Sequence, residues 1–198
     1  TNGQMTDLPN PCVDTGMGLE RIAAVLQSKQ SNYDTDQFKN IINGIKNKLS
    51  INDESTVTLQ VVADHIRSIL FLLIDGLQPG NEGAEYVLRR IIRRALRYLY
   101  QAGINEPCLF KLLPLVVFEM GKAYPEIKKG LKDAQTNLKT EEQRFFKTLD
   151  AGMKILNEHL NKDKNVSGEL AFKLYDTYGF PVDITEDVAK EQGGSVDH

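Results

Sequence analysis

Apolar residues recur at helical spacing along almost the whole chain, and this period, rather than the alternation of a strand, sets the expected fold. Leu19, Ile22, Ala23 and Leu26 share one helical face, and Phe38, Ile41, Ile42 and Ile45 share another, which predicts amphipathic helices over Leu19–Ser28 and Tyr33–Leu49. From Leu59 to Asp75 the chain is apolar on most faces, the pattern of a buried central helix, and Gly76 and Pro79 end it. A helix from about Ala84 to Gln101 stops at Gly103. The apolar segment Leu109–Tyr124 is interrupted at Pro114 and closed by Gly121 and Pro125. Between about Lys128 and Leu160 the stripe Leu131, Leu138, Phe145, Phe146, Leu149, Met153, Leu156 and Leu160 predicts one long helix. Ser167 is placed to cap a shorter helix through Tyr178, stopped by Gly179 and Pro181, and Thr185 to cap a last helix before Gly193-Gly194.

Strand signals are confined to the first residues, where Cys12–Asp14 reads as a short strand before a glycine turn. The expected fold is therefore mainly α, a multi-helix, bundle-like arrangement of roughly seven to nine helices with a small N-terminal β remnant. Ser50–Thr56 is a polar linker, and the chain holds no internal repeat and no low-complexity run.

With 198 residues, 41% of them hydrophobic, the chain can bury a core of its own. No early segment has the pattern of a secretory leader, and the longest apolar stretch, Ile69–Ile74, is too short to span a bilayer, so no membrane partner is expected. Cys12 and Cys108 are too few for a disulfide framework, and with three scattered histidines they give no metal-ligand spacing. A reducing cytoplasm fits, with no metal site. The formal net charge of −3 offers no overall attraction to nucleic acid, so any RNA binding must come from locally concentrated cations.

One helix concentrates them. At 100° per residue, Arg89, Arg90, Arg93, Arg94 and Arg97 fall within an arc of roughly 140°, opposite Leu88, Ile91, Ile92, Ala95, Leu96 and Leu99. Such a ridge can neutralise phosphates; it can equally be a solvated face paired with acids such as Glu82, Glu85 or Glu106. Just before it, the loop Leu77–Gly83 presents Asn81, either as a turn former or as an amide for a base edge. Asp176, between Tyr175 and Tyr178, offers a carboxylate to an exocyclic amine or to a local backbone donor. Asp64, His65 and Arg67 interrupt an apolar helix and read as a buried structural network. Near the start, Asp14, Gly16, Gly18 and Arg21 form a strand-to-helix corner. The glycines permit close backbone approach and Arg21 adds a planar cation, although a tight turn and helix cap explain both glycines without a ligand.

The run Leu8–Gln27 closely resembles motif 3 of the class II aminoacyl-tRNA synthetases in the form used by the alanyl-tRNA synthetase family. The resemblance continues in order through Ala63–Ser68, Tyr86–Ala95, Lys139–Glu142 and Leu174–Asp183, covering most of the chain from about Leu8 to Asp187. It implies two parts: residues 1–30, the end of a class II catalytic domain, and residues 31–198, a helical domain that recognises the tRNA acceptor stem. It also implies a parent enzyme that activates alanine with ATP and Mg²⁺ and transfers it to tRNA(Ala). Asp14 would bind the α-ammonium of alanine, Gly16 and Gly18 would shape the alanine and adenylate pocket, and Arg21 would be the catalytic arginine on ATP. Asn81 and Asp176 match the residues that read a G·U wobble pair, and the arginine ridge would track the phosphates.

On the same resemblance, segments like motifs 1 and 2 and a zinc-bearing editing domain lie outside this chain, which alone should form no adenylate. One departure stands out: the family commonly has Arg-Gly before the Tyr-Val-Leu block, whereas Ala84-Glu85 precedes Tyr86 here and removes a cation. The competing reading is an autonomous helical RNA-binding module without catalysis. Binding of DNA is not expected on either.

Overall fold

The computed structural model describes Asp7, Pro9, Asn10, Cys12, Val13 and residues 15–51 and 56–197. Eight α-helices follow in order: α1 (Leu19–Leu26), α2 (Asp36–Leu49), α3 (Thr56–Ile74), α4 (Gly83–Gln101), α5 (Leu109–Met120), α6 (Glu126–Leu160), α7 (Gly168–Tyr178) and α8 (Val182–Glu191). A 3₁₀ turn, Asn32–Asp34, precedes α2. Two-residue strands β1 (Asn165–Val166) and β2 (Ser195–Val196) pair in parallel, Asn165 opposite Ser195 and Val166 opposite Val196. The fold is mainly α as the periodicity requires, but its strand pair lies in the C-terminal part. Cys12 and Val13 form no strand, because a strand needs a hydrogen-bonded neighbour and the described residues supply none there.

The chain divides into two compact units, Thr1–Lys39 and Asn40–His198. In the first, α1 begins at Gly18, whose carbonyl accepts from the Arg21 and Ile22 amides. Tyr33 and Phe38 meet edge to face at 4.9 Å, and Gln27 and Asp36 exchange hydrogen bonds of 2.8 and 3.0 Å. The apolar residues Leu19, Ile22, Val25 and Leu26 of α1 remain exposed.

The second unit is built around α3. Val62, Ala63, Ile66, Ile69 and Leu70 are wholly enclosed by α4, α5 and α6, each large side chain contributing about 1.5–3 kcal/mol by leaving water. By length and composition α3 is the one described helix that could cross a bilayer; here it is the core helix. Asp64 and His65 lie on its open side and pair at 3.3 Å, so they are a surface contact and not the buried network their position suggested.

Pro114 does not interrupt α5. The carbonyl it deprives of an amide, that of Phe110, accepts instead from Gln135 Nε2 of α6 at 3.0 Å. The start of α5 is held by α6 as well. Glu142, fully buried, accepts from the amides of Cys108, Leu109 and Phe110 at 2.6, 3.0 and 2.8 Å, a remote carboxylate serving as helix cap. Burial pushes its pKa up to about 7 against the pull of those amides.

Helix α6 is about 50 Å long, so its far end passes beyond the core and carries α7 and β1. Ser167 caps α7 as expected, accepting from the Leu170 amide, whereas Thr185 is buried inside α8, which starts earlier, behind Pro181. The fixed φ of proline suits that entry and leaves no amide to satisfy.

Candidate nucleic-acid interface

A cleft of about 430 Å³ opens between the loop 77–83, α4, α6 and the end of α7. Asn81 stands on one side and Asp176 on the other, so residues far apart in sequence line one cavity. Gly76 ends α3 at φ +92°, and Gly80 brings the loop so close to α4 that a Cβ there would lie 2.4 Å from Glu85 Oε2. On the opposite wall, Gly179 closes α7 in the left-handed region at φ +69°. A side chain at Gly179 would be both strained and within 2.3 Å of Arg93 Nη1.

Asn81 is exposed, and its Oδ1 accepts from Arg89 Nη1, which leaves the amide NH₂ without a partner among the described residues. The carboxylate of Asp176 is also exposed and takes no hydrogen bond or ion pair from a described residue. Its backbone is well held: Thr148 donates to the Tyr178 carbonyl at 2.7 Å, and Phe180, completely buried, meets the Phe145 ring at 5.8 Å. Tyr86 and Tyr175 meet edge to face across the cleft wall at 6.5 Å, with Arg90 over the Tyr86 ring.

The five arginines of α4 do not form one exposed ridge. Arg89 and Arg93 face the cleft and share Glu141. Burial lowers the pKa of Arg93, and the Glu141 charge opposes that shift. The other three form a ladder to α8: Arg90 to Asp183 at 3.1 Å, Arg94 to Asp187 at 3.0 Å, and Arg97 to Glu191 through two bonds of 2.8 Å. Arg97 has 0% exposure and lies over the Tyr98 ring. Its hydrogen bond holds Glu191 below the usual carboxylate range, as that of Asp183 raises Arg90. Glu82, Glu85 and Glu106 are not the partners; Glu106 pairs with Lys111 at 3.3 Å.

Two residues of the cleft carried no role in the sequence reading. Arg144 of α6 is exposed, lines the cleft, and makes no ion pair or hydrogen bond with a described residue. Glu141 is 2% exposed and meets the cleft through its ion pairs with Arg89 and Arg93. A signal for Glu141 and Glu142 was present: two adjacent acids fall between Leu138 and Phe145 on the apolar face of α6, where only a paired carboxylate is tolerated.

In the N-terminal corner, Arg21 is exposed in the first turn of α1, and Asp14 lies outside the described residues. Gly18 adopts φ −57°, Gly16 does not have positive φ, and a Cβ added at Gly16 would meet no described residue beyond its chain neighbours within 4 Å. Neither glycine is required by its backbone conformation or by a neighbour among the described residues. Among the described residues no cluster of His, Cys, Asp and Glu is arranged to hold a metal ion.

One polar cleft is thus lined by an amide, a carboxylate and a guanidinium that has no partner among the described residues, groups able to donate to and accept from a polar ligand. The family profile described as tRNA synthetases class II (A) matches residues 1–198, and the chain belongs to that family. Among similar proteins are the alanine–tRNA ligases of Burkholderia mallei, Burkholderia pseudomallei and Burkholderia thailandensis, each 52% identical over 200 residues. The match covers 98% of this chain and 23% of each relative, so the chain spans about a quarter of their length.

Proposed function

We propose that this chain is the acceptor-stem-reading part of an alanine–tRNA ligase and that its cleft reads a G·U wobble pair. The supporting observation is that Asn81 and Asp176 line the same cleft, each with a polar group open to it. In an A-form stem the shallow minor groove is the readable one, and a wobble pair leaves the guanine 2-amino group unpaired there. The Asp176 carboxylate accepts from that amine while the Asn81 amide donates to the neighbouring base. Arg144 contacts a flanking phosphate. Arg89 and Arg93 shape the wall, and Arg90, Arg94 and Arg97 join α4 to α8, with half-buried Arg90 and Arg94 adding positive potential.

The whole protein, on this reading, joins alanine and ATP into alanyl-adenylate with release of pyrophosphate, then transfers alanine to the 3′-terminal ribose of tRNA(Ala). Mg²⁺ enters with ATP. Residues 1–30 belong to the catalytic domain, Asp14 holding the alanine ammonium, Gly16 and Gly18 flanking the adenylate and Arg21 reaching the ATP phosphates; residues 31–198 are the RNA-reading domain. The test is binding to acceptor-stem hairpins carrying G·U or G·C at one position. Wild type is expected to prefer G·U by about 1–3 kcal/mol, and Asn81→Ala and Asp176→Ala to erase most of that preference. Equal affinities for the two hairpins, unchanged in both variants, would refute it.

A further inference from the structure

Glu141 is the buried acid between the two walls of the cleft. Its Oε1 accepts from Arg93 Nε at 2.9 Å and Nη2 at 2.7 Å, and it holds Arg89 by charge alone, the Arg89 Nε lying 3.2 Å away without a hydrogen bond among the described residues. Each arginine then reaches a different wall. Arg89 donates through Nη1 to Asn81 Oδ1 and through Nη2 to the Pro79 carbonyl at 2.9 Å. Arg93 donates through Nη1 to the Gly179 carbonyl at 2.5 Å, at the end of the helix that carries Asp176. Glu141 Oε2 has no partner among the described residues. One carboxylate oxygen therefore joins the Asn81 loop to the end of α7.

We infer that Glu141 is the positioning residue that sets the distance and orientation between Asn81 and Asp176; this rests on the wobble-reading function proposed above. Arg89 and Arg93 are one turn apart on the same face and repel each other, so without an anion between them both guanidinium groups swing towards solvent. Asn81 then loses the bond that aims its amide, and Gly179 loses its donor. The end of α7 stays attached through Thr148 and Phe180, so the helix remains folded while its alignment to the loop relaxes. Freed arginines attract phosphate more strongly, which separates this role from a loss of stability: discrimination falls while general RNA affinity holds or rises.

The test uses the full-length protein and the G·U and G·C hairpins, with Glu141→Gln, Arg93→Lys, Asn81→Ala and Asp176→Ala. In Glu141→Gln the ratio of the two dissociation constants is expected to fall at least about threefold towards one, with unchanged or tighter binding of the G·C hairpin and native circular dichroism. A wild-type ratio, or a parallel weakening of both affinities with the ratio kept, overturns the positioning role. If Glu141→Gln does not fold, Arg93→Lys decides by the same criteria, because a lysine cannot bridge Glu141 and Gly179 as the planar fork does. Should Asn81→Ala and Asp176→Ala leave the ratio at its wild-type value, the wobble reading fails and this inference fails with it. If they collapse the ratio and the Glu141 and Arg93 variants do not, only the positioning role is lost.

Discussion

Arg97 and Arg144 are one residue type put to opposite uses, and their surroundings predict opposite phenotypes. Arg97 is sealed between Glu191 and Tyr98, so Arg97→Ala removes packing and strands an acid. It is expected to lower unfolding free energy by about 2–4 kcal/mol in urea titrations. Arg144 lines the cleft with no partner among the described residues, so Arg144→Ala should leave the urea midpoint in place. Instead it should reduce the salt dependence of hairpin binding by about one unit of log–log slope. Helical spacing grouped Arg97 with its four neighbours, because the acids that sort them, Glu141 on α6 and Asp183, Asp187 and Glu191 on α8, lie far downstream. Asn81 and Asp176 became candidates only through the family resemblance, because as lone residues both had simpler local uses and their place in one cleft depends on contacts far apart in sequence.

Among the elements, α6 organises the others, and its most consequential contact is a cap that no local pattern reveals. A capping residue normally precedes its helix, but α5 takes its cap from Glu142, on the next helix. The pKa of Glu142 lies above the ordinary carboxylate value in the fold, so the folded chain binds this proton more tightly than the unfolded chain. Its protonation therefore contributes stability in full below about 4.5, and the contribution is lost as pH rises through about 7. Between pH 8 and 5 wild type should gain up to about 3 kcal/mol relative to Glu142→Gln in urea titrations; a difference independent of pH would rule this out. Most helices were legible from period alone. Pro114 was misleading because Gln135 on another element repairs the break, and Thr185 because Pro181 starts α8 first.

For the whole molecule, a net charge of −3 and the proposed RNA-binding role are compatible because cations and acids are sorted locally. The chain spans only 23% of its alanine–tRNA ligase relatives. On the proposed reading it holds one corner of a class II active site, so the isolated chain should give no ATP–pyrophosphate exchange above background. Exchange at a rate proportional to protein concentration would contradict that. The central claim is that the Asp176 carboxylate accepts from the guanine 2-amino group of a wobble pair, and replacing guanosine by inosine deletes that amine alone. The most direct measurement is the affinity of the full-length protein for hairpins carrying G·U or I·U, with wild type and Asp176→Ala. Wild type should lose about tenfold or more on the change to inosine, and Asp176→Ala should bind both hairpins equally. Equal binding of the two hairpins by wild type would contradict the account.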